Sequence, residues 1–243
     1  MSVRGRLGLD PSQFRITRGA MLLALGELGL SLVYLLSPPD VRQRMVEWLA
    51  PTGSTVFEHF RVWTVVTGAF LETGFLNILL HMVVMWSFVP TLERFWGMRR
   101  FLRFAAITST AGLVTGTLVG YGLGHDVPIV GLGSFINASI VAFGITYARQ
   151  PVQFFGALPL TGRQLMYGFI GFLALSVLLQ QNWETGAAYV ASMGTAALMT
   201  SKRNPVLAWK RRKIARARAK LTVMQGGKSA PAKPKRDDQR FIN

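Results

Sequence analysis

Glu27 is the first residue of interest, a carboxylate in the middle of an apolar run with no other charge between 19 and 36. An ionisable group at such a depth is costly, and it serves either a proton or ligand function or a hydrogen-bonded structural role. Asn77 and His81 come next, one helical turn apart and therefore on one helix face. Ser134, Asn137 and Ser139 follow in a third apolar stretch. An imidazole within hydrogen-bond reach of a serine supplies the general base of a nucleophilic hydrolase. An amide aimed at the developing oxyanion supplies the second requirement. The duller roles are equally available: Ser134 as a helix N-cap, Ser139 as an interhelical hydrogen bonder, His81 as a satisfied interior polar group.

These residues sit in an unusual composition. The 243 residues are 50% hydrophobic and 16% charged, with 27 Lys+Arg against 11 Asp+Glu. The net charge of +16 would fit a nucleic-acid binder, but the positive mean hydropathy of +0.33 makes nucleic acid at most an accessory ligand of the tail. An apolar chain with a basic excess fits a membrane protein holding its charge on one side. The chain has no cysteine, which excludes disulfides, Cys-ligated metals and a thiol nucleophile. Only His59, His81 and His125 are present, so no metal and no cofactor are expected. No phosphate-binding loop and no His-Glu-x-x-His occurs. Gly120, Gly122 and Gly124 end a span rather than follow a strand, and His125-Asp126 reads as a solvated loop pair.

Apolar runs near the roughly 20 residues a span requires occur at 19–36, 75–89, 104–121, 130–147, 165–179 and 186–200. The first follows Arg15 and Arg18, as a signal peptide would. It lacks a small-residue cleavage site and reads as a retained helix. With the N-terminus inside, the inner segments carry Arg4, Arg6, Arg15 and Arg18, then Arg94, Arg99, Arg100 and Arg103, then Arg149 and Arg163, then the tail from Lys202. The outer ones carry Arg42, Arg44 and Arg61, all in the first loop. That is the positive-inside pattern for both termini cytoplasmic. A soluble bundle would need polar outer faces that these helices lack. The first loop, 37–75, is aromatic-rich and weakly charged, and is expected to lie in the membrane interface.

The expected organisation is a cytoplasmic segment at 1–18, a six-helix membrane domain at 19–200, a basic juxtamembrane amphipathic helix at 201–224 and a disordered basic tail at 225–243. Trp209, Lys210, Arg211, Arg212, Lys213, Arg216, Arg218 and Lys220 suit the anionic lipids of an inner leaflet. Gly112, Gly116 and Gly120 recur at four-residue spacing, as do Ala188, Ser192, Ala196 and Thr200. Such spacing lets helix backbones approach closely and puts both helices at the bundle centre. The lack of cysteine and the single-core layout lean towards a bacterial inner membrane.

Trp63 and Thr67, then Asn77 and His81, then Glu93 and Gly97, then Gly131-Leu132-Gly133-Ser134, then the small-residue sixth span stand in an order that resembles the rhomboid superfamily. The resemblance covers about 62–200 and implies a six-transmembrane-helix, all-α, rhomboid-like bundle. In that family the proteases use a Ser–His dyad, with a serine opening span four and a histidine from span six. Here Gly133 takes the nucleophile position, with Ser134 displaced by one. Ser192, or Tyr189 in a shifted register, takes the histidine position. Asn77 and His81 are exchanged relative to the family's His-x-x-x-Asn, and Thr64 replaces an Arg.

The resemblance therefore implies a catalytically inactive relative, as derlins are, and Pro151-Val-Gln-Phe-Phe-Gly156 is similar to a derlin segment. Such relatives bind transmembrane segments of client or partner proteins. Asn77, His81, Ser134, Asn137 and Ser139 would supply polar contacts, and Gly168 and Gly171 would leave space beside span five. Two alternatives stay open. One is an active intramembrane serine protease with Ser134 or Ser139 as nucleophile and His81 as base. The other is a proton-linked transporter component using Glu27 and His81, although no inverted repeat is visible.

Overall fold

A computed structural model describes residues 16–154 and 158–201. The segment 1–15, the basic stretch from 202 and the tail lie outside the described residues. Helix α1 (Arg18–Leu36) is followed by α2 (Pro39–Leu49), a π-turn (Ser54–Glu58), the short α3 (Thr64–Thr67) and a 3-10 turn (Gly68–Phe70). Then come α4 (Phe75–Ser87), α5 (Val89–Trp96), α6 (Met98–Gly122) and α7 (Gly133–Thr146). A hairpin of β1 (Pro151–Phe154) and β2 (Leu158–Thr161) leads to α8 (Gly162–Gln180) and α9 (Trp183–Thr200).

The helix ends explain the path of the chain. Arg42 of α2 folds back to donate to Leu35 O at 2.6 Å and Ser37 O at 2.8 Å. It thereby satisfies carbonyls that the end of α1 leaves free. Trp63 Nε1 donates to Trp48 O at 3.2 Å, and Thr67 Oγ1 to Leu49 O at 2.8 Å. The Arg61 guanidinium stacks over the Trp48 ring at 4.4 Å. The long first loop is thus a folded set of helical turns. Gly97, at φ +78°, makes the sharp turn between α5 and α6 in a backbone region that side chains avoid. Thr161 and Gln164 form a reciprocal capping box that starts α8.

The core lies where α6, α7 and α9 meet. Residues Ser134 to Gly144 of α7 are all buried. A Cβ on Gly112 would fall 2.6 Å from Ser134 Cβ and 3.0 Å from Ala188 O. One on Gly116 would fall 2.9 Å from both Ala188 Cβ and Glu184 O. Bare glycine is what lets α6 lie against α7 and α9. Gly116→Leu should therefore cost about 1–3 kcal/mol by overpacking. Gly122→Leu, where nothing lies within 4 Å, should stay within about 0.5 kcal/mol. Thermal unfolding of both variants in detergent checks this.

The structure departs from the sequence expectations in two ways. Among the described residues three helices, α1, α6 and α8, are long and apolar enough to cross a membrane. The pair 64–70 and 75–87, bent by 84°, makes a fourth if counted as one span. The expected six are not all met. Helix α7 has 14 residues, about 21 Å at the usual helical rise. Helix α9 has 18 residues, but Glu184, Gly186, Ser192, Gly194, Thr195 and Thr200 dilute its hydropathy. The second departure is the antiparallel hairpin, with Pro151 opposite Thr161 and Phe154 opposite Leu158, in a stretch read as a plain connection.

Candidate functional site

A polar cluster lies among α1, α4 and the turn before α7. Glu27, two and a half turns into α1, is fully buried. Its Oε1 lies 2.6 Å from Nδ1 of His81 on α4, whose side chain is 12% exposed. Leu132 N also donates to Glu27 Oε1, at 3.4 Å. One turn further along α1, Ser31 Oγ accepts from Glu72 N at 2.9 Å. This bond pins the turn before α4 against α1.

Glu72 is the third member of the cluster. Its Oε1 accepts from Thr73 N at 3.0 Å, Gly74 N at 3.1 Å and Asn77 Nδ2 at 3.3 Å. The carboxylate thus gathers donors at the start of α4, where the helix dipole favours negative charge. Gly131 closes the cluster from the other side. Its φ is +87° and its N donates to Gly68 O at 2.8 Å. A Cβ there would fall 2.2 Å from Glu72 Oε2. Only glycine satisfies both the backbone and the carboxylate. One ligand-type atom from each of Glu27, Glu72 and His81 lies within 4.8 Å of the other two.

The other residues singled out from the sequence are placed as follows. At Gly133 a Cβ would meet Tyr189 Oη at 3.4 Å and His81 Nε2 at 3.8 Å, both ordinary contacts. The position faces the imidazole, yet carries no side chain. Ser134 is turned to α6, where its Oγ would lie 2.3 Å from a Cβ on Gly112. Ser139 Oγ is buried without a hydrogen-bond partner. Ser192 is buried and donates to Tyr189 O at 2.9 Å. Asn137 is buried in α7. Among the described residues no hydrogen bond joins His81 to a serine.

Glu93 stands apart from the cluster. It accepts from Thr17 Oγ1, and from Gly19 N and Ala20 N at 2.8 Å each, so it caps the start of α1. In the loop after α6, burial pushes the Asp126 carboxyl up. Hydrogen bonds from the Ser54 hydroxyl and amide, with Thr52 and Gly53, outweigh that and hold it below its usual value. His125 Nδ1 lies 3.7 Å from Glu184 Oε2.

Glu72 and Ser31 were not singled out from the sequence. A carboxylate close before a helix start is favoured by the helix dipole, and Glu72 stands three residues before the apolar run that begins at Phe75. That signal was present in the sequence and could have found Glu72.

Residues 21–201 match the family described as eukaryotic integral membrane protein (DUF1751). The chain belongs to this family. The match spans Glu27, Glu72, His81, Gly133 and Tyr189, so the whole cluster falls within it. No curated protein matches the chain. Membership overturns the bacterial inner membrane expected from composition, because the family is described as eukaryotic. The physical reason is simple: a cysteine-free compact bundle is compatible with any bilayer, so neither feature carries information about the host. This eukaryotic integral membrane protein thus places two carboxylates and an imidazole inside its bundle, with Gly131 and Gly133 lying against the imidazole.

Proposed function

We propose that this protein is a rhomboid-like six-span membrane protein without the protease dyad, and that it binds transmembrane segments of other proteins beside α8. The observation that carries the reading is the outer face of α8. Helix α8 is held at its start by Leu165 and Met166, which are buried, and near its end where Val177 lies over Gly186. Between these anchors Gly168 and Gly171 have nothing within 4 Å, and Phe172 and Leu175 are exposed. Small residues flanked by large apolar ones let a second helix approach closely in a bilayer, where packing rather than hydrophobicity drives association.

The order of Trp63, Thr67, Glu93 and Gly97 supports the rhomboid-like reading. The glycine at 133 and the absence of a histidine from α9 support the lack of protease chemistry. A six-span arrangement asks α7 and α9 to cross a locally thinned bilayer, since α7 is shorter than the roughly 30 Å hydrocarbon core.

The test uses the full chain in vesicles with a fluorescent single-pass peptide carrying small residues at mid-membrane. Energy transfer should report saturable association. Gly168→Leu with Gly171→Leu should weaken it about tenfold, the effect of losing roughly 1.4 kcal/mol of packing. Association that is unsaturable, or indifferent to both changes, would count against docking at α8.

A further inference from the structure

We infer that Glu27, Glu72 and His81 form a binding site for one divalent first-row transition cation of the Zn²⁺ class. The inference goes beyond segment binding and does not rest on it. Three ligand-type atoms within 4.8 Å of one another are the first observation. They come from α1, the turn before α4, and α4 itself, so the fold rather than the local sequence brings them together.

The second observation is how the two carboxylates use their oxygens. Glu27 Oε1 takes both of that residue's hydrogen bonds, from His81 and Leu132. The carboxylate is fully buried and aimed into the cluster, and its Oε2 has no partner. Glu72 is oriented in a similar way: Oε1 takes the donors of Thr73, Gly74 and Asn77, and Oε2 lies against the Cα of Gly131. Each carboxylate is thus oriented through its Oε1, and the Oε2 of Glu27 is left bare. Ligating carboxylates are held this way by their neighbours.

Charge gives the reason a cation belongs here. No Lys or Arg forms an ion pair with Glu27 or Glu72 among the described residues. One imidazole cannot offset two buried carboxylates even when protonated, and uncompensated buried charge is costly. A divalent ion offsets both. Two carboxylate oxygens and one imidazole nitrogen suit zinc, manganese or ferrous iron, whereas an all-oxygen set would suit calcium or magnesium. Thiolate ligation is excluded, since the chain has no cysteine. Three protein ligands leave a fourth position for water, the arrangement of zinc sites that are not purely structural. Tyr189 Oη and Gly133 lie beside His81, on the side of its Nε2. This departs from the expectation, drawn from the scarcity of histidine, that no metal is held.

The test uses the detergent-purified full chain, stripped with chelator and titrated with Zn²⁺ and with Co²⁺. One equivalent should bind, and Co²⁺ should give the visible bands of a four- or five-coordinate N/O site. Glu27→Gln, Glu72→Gln and His81→Asn should each weaken binding about 100-fold or more, while His125→Ala should leave it unchanged. X-ray absorption of the wild-type zinc form provides a reading that needs no variant to fold: one imidazole nitrogen and otherwise oxygen ligands are expected. No stoichiometric binding, binding indifferent to the three changes, binding abolished by His125→Ala, or a shell with two or more imidazoles would overturn the inference.

Discussion

Gly133→Ser should make this protein react with a serine-directed fluorophosphonate that does not label the wild type. The glycine's missing Cβ has ordinary contacts, 3.4 Å to Tyr189 Oη and 3.8 Å to His81 Nε2, so the change meets no steric barrier. A hydroxyl one bond further out comes within reach of the imidazole. That imidazole is already oriented, because Glu27 holds its other nitrogen at 2.6 Å. A carboxylate, an imidazole and a hydroxyl in that order is the logic of a catalytic triad. General-base assistance contributes about 10²–10⁴-fold, so labelling should rise at least about 100-fold over wild type. The reaction should be run with chelator present, because an imidazole holding a cation is not a free base. Adding His81→Asn to Gly133→Ser should silence the signal. If the wild type itself labels, and Ser134→Ala or Ser139→Ala removes the label, the reading as an inactive relative is wrong. A rearranged serine site then replaces it.

Glu93→Ala should be the most destabilising single change in the bundle. The Glu93 side chain is buried and accepts from Thr17 Oγ1, Gly19 N and Ala20 N. Removing it strands two buried backbone donors and takes a negative charge from the positive end of α1. Hydrogen bonds to a charged group are worth about 1.5–3 kcal/mol each, so a loss of about 3 kcal/mol or more is expected in detergent unfolding. Glu93→Gln, which keeps an acceptor oxygen, should fall between. Gly19 belongs to the same unit, since a Cβ there would lie 2.8 Å from Glu93 Oε2. Gly19→Val should therefore displace the carboxylate. Combined with Glu93→Ala, it should cost much less than the sum of the two, as coupled neighbours do. Full additivity would show that the cap is not what Gly19 protects.

Several parts of the molecule were legible before folding. The helices at 19–36, 104–121 and 165–179 follow from runs that stay apolar on average despite single polar residues such as Glu27, Ser109 and Ser176, and hydropathy is a local property. The pairing of Asn77 with His81 on one face follows from helical period alone, and both do reach the carboxylate cluster. Helix α7 and helix α9 were harder. The apolar content of α7 reflects burial against protein, which a sequence pattern does not distinguish from burial in lipid, while α9 mixes exposed Val190 and Leu198 with a buried face of small and polar residues. The hairpin at 151–161 was invisible for a different reason: strand pairing is a relation between two short segments, and each alone reads as loop.

The candidate site divides the same way. Sequence alone determined that this is a membrane chain, that Glu27 lies at an unfavourable depth, and that a glycine, Gly133, stands where α7 opens. These are statements about residue type and local spacing. It was the tertiary structure that gave Glu27 a partner 54 residues away, brought in Glu72 from a turn that looked like part of an interfacial loop, and turned Ser134 towards α6 rather than His81. Those outcomes depend on which helix faces meet, and that is set by the close approach of α6, α7 and α9 along their small residues and by the Ser31–Glu72 bond that pins one turn to α1. Packing of this kind is a property of pairs of elements, and no single stretch of the chain encodes it.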